Sequence, residues 1–142
     1  MKVIFDTQIL IERKSAKSPS YFSSVVIQEL VAGANDGKEI KVWWDTMHWY
    51  EANQRLLVPN SEDWFMAGKV LHAVLNDLSR EDRQRRRPQL GDGKKQSIIR
   101  DTLIAVTAKR NACLVVSDNQ DFPMLQRYYA FKWMSGKDFF GN

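Results

Sequence analysis

Two short apolar runs, each closed by an acid, constrain this chain more than anything else in it. Near the start Val3, Ile4 and Phe5 lead into Asp6, and much later Leu114, Val115 and Val116 lead through Ser117 into Asp118. Runs this short, rich in β-branched and aromatic types, read as buried strands rather than helices. A carboxylate at the end of a buried strand lies at the carboxyl edge of a sheet, where open α/β sheets bind their ligands. Capping of a following helix by Asp6, Thr7 or Asp118 is the plainer alternative for each acid taken singly.

Helical spacing fills the interval between these runs. After the first strand, residues 9–13 predict a short helix, 15–20 a loop around Pro19, and 21–24 a second strand. A helix from Val25 to about Ala34 puts Val26, Leu30 and Gly33 on one face with Glu29 beside it. The aromatic-rich stretch from Ile40 to Leu57 predicts a helix passing into a brief strand at residues 55–58, closed by Pro59. Asn60 and Ser61 offer an N-cap for the clearest helix, whose stripe is Ala67, Val70, Leu71, Val74, Leu75 and Leu78. That helix runs into the arginines and stops at Pro88, and residues 91–93 read as a mobile link. A helix from about Lys95 to Arg110 follows, with Ile98, Asp101, Ala105 and Ala108 on one face, then the strand 112–116. Residues 122–129 are helical or irregular, and 130–134 form a last short strand. Strands alternating with helices predict a parallel-sheet α/β sandwich.

Bulk properties exclude several classes. A chain of 142 residues with 44% hydrophobic and 27% charged residues is ordinary globular composition and one domain's worth. No apolar run approaches the roughly 18 residues needed to span a bilayer. Asp6 interrupts any secretory leader, so a cytoplasmic setting is the default expectation. The one cysteine, Cys113, excludes an internal disulfide and a cysteine-based zinc site, and its apolar surroundings suit a core residue. His48 and His72 form no metal-ligand cluster. The net charge of +4 is mild, but Arg80, Arg83, Arg85, Arg86 and Arg87 crowd together, with Lys94, Lys95 and Arg100 close behind. This is more than the macrodipole of one helix end calls for. It suits a surface for phosphates or an acidic protein segment.

Four acids carry the chemistry. Asp6 and Asp118 end the two best strands, Glu29 sits among apolar residues, and Asp101 shares a packing face with Ile98, Ala105 and Ala108. A carboxylate on a packing face is costly without a partner. Four such groups converging would repel one another and raise some pKa values unless cations neutralise them, and hard divalent ions take oxygen ligands of this kind. Pairing of Asp101 with Arg100 and solvation of Glu29 are the bland alternatives.

The segments 4–7 (Ile-Phe-Asp-Thr), 24–30 (Ser-Val-Val-Ile-Gln-Glu-Leu), 101–105 (Asp-Thr-Leu-Ile-Ala) and 114–122 (Leu-Val-Val-Ser-Asp-Asn-Gln-Asp-Phe) resemble, in order, the successive motifs of PIN-domain nucleases. Length and layout are similar to the VapC-like toxins of toxin–antitoxin pairs. The resemblance spans nearly the whole chain. It implies one PIN-like domain over residues 1–142, a three-layer α/β sandwich with a mainly parallel sheet, and a Mg²⁺- or Mn²⁺-dependent endoribonuclease. It also implies an antitoxin partner and a homodimer. By it Asp6, Glu29, Asp101 and Asp118 match the metal-binding catalytic acids, with Asp121 an additional candidate ligand. Thr7, Ser117 and Asn119 are then placed to orient water or a carboxylate. Arg83, Arg85, Arg86, Arg87, Lys94, Lys95 and Arg100 become candidate contacts to RNA, and exposed tryptophans candidate stacking surfaces, with the core or a protein interface the plainer role for the tryptophans. Two departures stand out. Gln8 occupies a position that is commonly Asn or Ser in the family, and the tryptophan- and arginine-rich middle matches no family motif. They leave room for a binding module of the same fold with a weak or silent acid site. A phosphatase or phosphotransferase fits less well, since an Asp-x-Asp site needs an acid where Gln8 stands.

Overall fold

A computed structural model describes residues 2–7, 9, 20–85 and 92–141. The chain runs β1 (Val3–Phe5), β2 (Ser20–Ser23), α1 (Ser24–Ala32), α2 (Gly37–Ala52), β3 (Leu56–Leu57), α3 (Ser61–Arg85) and α4 (Asp92–Arg110). It continues through β4 (Leu114–Val116), α5 (Asp121–Leu125), β5 (Trp133–Met134) and α6 (Gly136–Phe140). The strands form one sheet in the order β3-β2-β1-β4-β5, and every pairing is parallel.

The period-two alternation of the strands separates two apolar layers. Ile4 and Val115 face the larger one, packed with Val26 and Leu30 of α1, Val70 and Val74 of α3, and Ile98 and Ile104 of α4. Val3, Phe5, Leu114 and Val116 face the smaller one, closed by Ile9 and by Phe139 and Phe140 of α6. The result is the PIN-like three-layer sandwich, with a sheet that is wholly parallel rather than mainly so. β1 lies at its centre, pairing Val3 with Ser20 on one side and with Leu114 on the other. No helix among the described residues is long and apolar enough to cross a membrane.

Local chemistry explains most boundaries. Ser23 caps α1 by accepting from the Val25 N–H at 3.1 Å. Asn60 and Asp63 form a reciprocal capping box at the start of α3, with bonds of 2.8 and 3.0 Å. Asp63 is also buried and takes a charge-assisted pair from Arg110 at 2.8 Å, which ties α3 to the end of α4. Cys113 is a buried core thiol, and His48 and His72 are surface residues.

Some expectations need correcting. Asp92 and Gly93 are helical, so α4 begins three residues earlier than periodicity suggested, and those two residues of the anticipated link belong to it. α1 stops at Ala32 because Gly33 serves as its C-cap. α6 was not anticipated: Ser135 caps it, accepting from the Asp138 N–H at 3.1 Å. The expected helix at 9–13 lies outside the described residues apart from Ile9. Gln8, Pro88, Arg86 and Arg87 also lie outside them, as do the side chains of Arg83 and Arg85.

Candidate active site

The parallel sheet delivers Asp6 and Asp118 to the same edge, because β1 and β4 run side by side in register from Val3–Leu114 to Phe5–Val116. α1 and α4 bring Glu29 and Asp101 over that edge. Asp6, Glu29, Asp101 and Asp118 line one open cleft of about 380 Å³, together with Thr7, Ser97, Arg100 and Asn119.

The turn after β4 organises the acids, each of its three residues doing a different job. The Ser117 hydroxyl donates to Asp6 Oδ2 at 2.8 Å and accepts from the Asn119 N–H at 3.0 Å. The Asn119 amide donates to Asp101 Oδ2 at 3.0 Å, and its Oδ1 accepts from the Asp121 N–H at 2.9 Å. Asp118 lies between them, exposed, its Oδ1 accepting from the Gly136 N–H at 2.8 Å. On the other side Asp6 Oδ1 accepts from the Thr7 N–H at 2.8 Å, and the Thr7 hydroxyl donates to Glu29 Oε2 at 3.3 Å.

Asp101 is the electrostatic oddity. It is 4% exposed, and its one neutral side-chain partner in the described structure is Asn119. Burial, reinforced by the charge of Asp6, by hydrogen bonding and charge from Asp121, and by the charge of Glu29, pushes its carboxyl from 3.8 up to about 9. Asp63 is no more exposed but has Arg110 against it. The fold therefore supplies a cation to one buried acid and leaves the other surrounded by like charge.

Two of the predicted phosphate contacts, Arg100 and Lys94, are paired with acids. Arg100 lies against Glu29, its Nε 3.0 Å from Oε1. That is a charge contact without hydrogen-bond alignment, since this buried nitrogen has no bonded partner among the described residues. Lys94 pairs with Asp121, which also accepts weakly from Ser97 at 3.4 Å. Asp121 is buried at the start of α5, behind Asn119. Lys95 is exposed on α4. Residues 83 and 85–87 yield no side-chain geometry, lying outside what is described.

The all-oxygen donor set and the uncompensated Asp101 suit a hard divalent cation. Among the described residues, however, no group of three acids, histidines or cysteines is arranged to hold a metal ion as it stands. Glu29 is drawn toward Arg100 and Asp118 toward Gly136, so gathering these acids around an ion requires side-chain movement.

Sequence reasoning missed Gly136. A Cβ there would stand 2.7 Å from Ile9 Cδ1 and 3.1 Å from the Asp118 carboxylate, so only hydrogen fits where α6 approaches the site. The signal was present as Ser135-Gly136-Lys137-Asp138, a capping pattern four residues long.

No family model matches the sequence, and no curated protein matches it. Solved structures do. The crystal structure of DNA-bound VapBC from Salmonella typhimurium aligns with a TM-score of 0.54 at 18% identity, covering 95% of this chain and 98% of that one. VapBC-1 from nontypeable Haemophilus influenzae aligns at 0.53 and 17% identity, covering 95% and 98%. FitAB bound to a DNA fragment aligns at 0.55 and 14% identity, covering 95% and 94%. At these identities the likeness is one of fold, extending over nearly the whole of each chain. The chain thus has the fold of the VapBC and FitAB structures, the three-layer parallel α/β sandwich that the motif resemblance implies.

Proposed function

We propose that this protein is a metal-dependent endoribonuclease and the toxin of a toxin–antitoxin pair. The observation that carries the proposal is Asp101, a buried carboxylate left among other carboxylates at the ligand-binding edge of a parallel sheet. Such an arrangement is destabilising without a cation. Catalytic roles fall to Asp6, Glu29, Asp101 and Asp118. A bound Mg²⁺ or Mn²⁺ would neutralise charge at phosphorus and lower the pKa of an attacking water. The chain's own part is positional. Ser117 and Thr7 fix the Asp6 carboxylate, Asn119 fixes Asp101, and the Gly136 N–H fixes Asp118. Arg100, released from Glu29, would meet a phosphate, with Lys95 contributing charge along the approach. Asp121, tied to Lys94, supports Asn119 rather than acting first as a ligand.

Partners are read from α2. Ile40, Val42, Trp44 and Trp49 are exposed there, Trp44 at 59%, as two apolar pairs, Ile40 with Trp44 and Val42 with Trp49, on either flank of the side that packs Trp43 and Tyr50 on the core. Aromatic surface of this kind suits a second copy of the chain and an antitoxin. The setting would be cytoplasmic.

A second reading has specific support. The Arg100–Glu29 and Lys94–Asp121 pairs partly neutralise the site from within, as a binding module with a silent site would. Incubation with a generic RNA in Mg²⁺ or Mn²⁺ separates the two. The nuclease reading expects cleavage that stops with EDTA and is lost in Asp6→Asn and Asp101→Asn. RNA left intact by the unmodified protein in both metals, or cut equally well by either variant, would refute it.

A further inference from the structure

A second groove, of about 520 Å³, shares a wall with the acid cleft: Glu29 and Arg100 line both. Its other lining residues include Gln28, Val58, Trp64 and Gln96. Trp64 stands apart from the other exposed tryptophans. Trp44 has the His48 ring at 4.4 Å and Trp49 the Tyr50 ring at 5.0 Å, whereas Trp64, 58% exposed, has no ring or cation against it among the described residues. Gln28 and Gln96 are exposed, and their amides have no hydrogen-bond partner among the described residues.

We infer that this groove is a nucleobase subsite that takes the unpaired base next to the scissile phosphate, with Trp64 as its stacking platform. The inference rests on the nuclease reading above and adds the element that grips the substrate beside the cut. An indole face offers stacking to any base, and amide side chains match the donors and acceptors on a base edge. The volume is that of a small-ligand pocket. Continuity through Arg100 decides between occupants. A strand with its phosphate among the acids passes Arg100 directly into the groove, whereas a purely apolar peptide would leave both glutamines and the guanidinium unmatched.

The test uses the full chain with Asp101→Asn to prevent cleavage, and a short unstructured oligoribonucleotide in Mg²⁺, read by fluorescence anisotropy. Adding Trp64→Ala should weaken binding about 5- to 100-fold. Trp64→Phe should restore most of it, since a phenyl ring also stacks. Moving one abasic nucleotide along the oligonucleotide should find a position where the parent loses that same factor and the Trp64→Ala chain loses nothing further. A merely structural tryptophan would not produce that coincidence. Equal binding by parent and Trp64→Ala, with RNA cleavage in the otherwise unmodified chain intact, would overturn the subsite and leave the nuclease standing. Failure of the unmodified chain either to bind or to cleave RNA would overturn both.

Discussion

Replacing Asp101 by asparagine should make the metal-free protein more stable while abolishing its activity. In the folded chain the Asp101 carboxyl titrates near 9, against 3.8 for the ordinary group. Below the lower value both folded and unfolded chains hold the proton, and the fold is unpenalised. As pH rises through the window between the two, the unfolded chain releases its proton and the folded chain does not, so stability falls by roughly 1.4 kcal/mol per pH unit. At neutral pH this approaches roughly 4 kcal/mol, and relaxation and water entry reduce it to about 2–3 kcal/mol. Asparagine is nearly isosteric with the protonated acid. It still accepts from Asn119, and it donates toward Asp121 without a proton to lose. Thermal unfolding in EDTA, followed by circular dichroism, should therefore show Asp101→Asn melting about 5–10 °C higher near neutrality. The gap should be small at about pH 5 and wider at about pH 8. Adding Mg²⁺ should raise the melting temperature of the unmodified protein and do little for the variant. A variant less stable than its parent at the higher pH, or a gap that does not change with pH, would refute the reasoning and make Asp101 a structural acid.

Other outcomes follow from the same geometry. Arg110→Met should cost roughly 3 kcal/mol by leaving buried Asp63 unpaired, lowering the melting temperature without changing metal-dependent cleavage per folded molecule. Gly136→Ala should destabilise the fold by about 1–2 kcal/mol and cut activity further than that loss explains, because its methyl group displaces Asp118 as well as Ile9. Ser117→Ala should lower affinity for Mg²⁺, measured by calorimetry, about tenfold or more by freeing the Asp6 carboxylate. Val42→Asp with Trp49→Glu should convert a dimer to a monomer in light scattering while leaving the melting temperature of the monomer nearly unchanged.

What the sequence disclosed, and what it hid, has a physical pattern. β1 and β4 were legible because each is an unbroken apolar run meeting an acid, and buried parallel strands leave that signature. Glu29 and Asp101 were placed by helical spacing, since Val26, Leu30, Ile98 and Ala105 fix which side of each helix packs inward. Pairs between distant elements were not legible. Arg100 and Asp101 are adjacent on α4, and adjacent helical residues do not face each other, so Arg100 turns to Glu29 on α1. The burial of Asp63 against Arg110 depends on how α3 crosses α4, which spacing along the chain does not disclose. β5 has two half-buried residues, too few for any periodicity, and α6 then hid behind it.

The placement of β1 also governs when the protein can begin to work. Its partner β4 lies more than a hundred residues later, with Val3 opposite Leu114 and the Asp6 N–H bonded to the Val116 carbonyl. A ribosome delivers these halves in sequence, adding roughly 5–20 residues each second, so the first strand waits several seconds for its neighbour. Through that wait Asp6 has no Ser117, Asp101 no Asn119, and Asp118 no Gly136. The carboxylates are not gathered until the last tenth of the described chain has emerged. Long-range parallel pairing also closes slowly. A nascent or truncated chain should therefore lack an assembled acid cleft however many of its acids it already carries, and the delay before that cleft forms is set by the sheet.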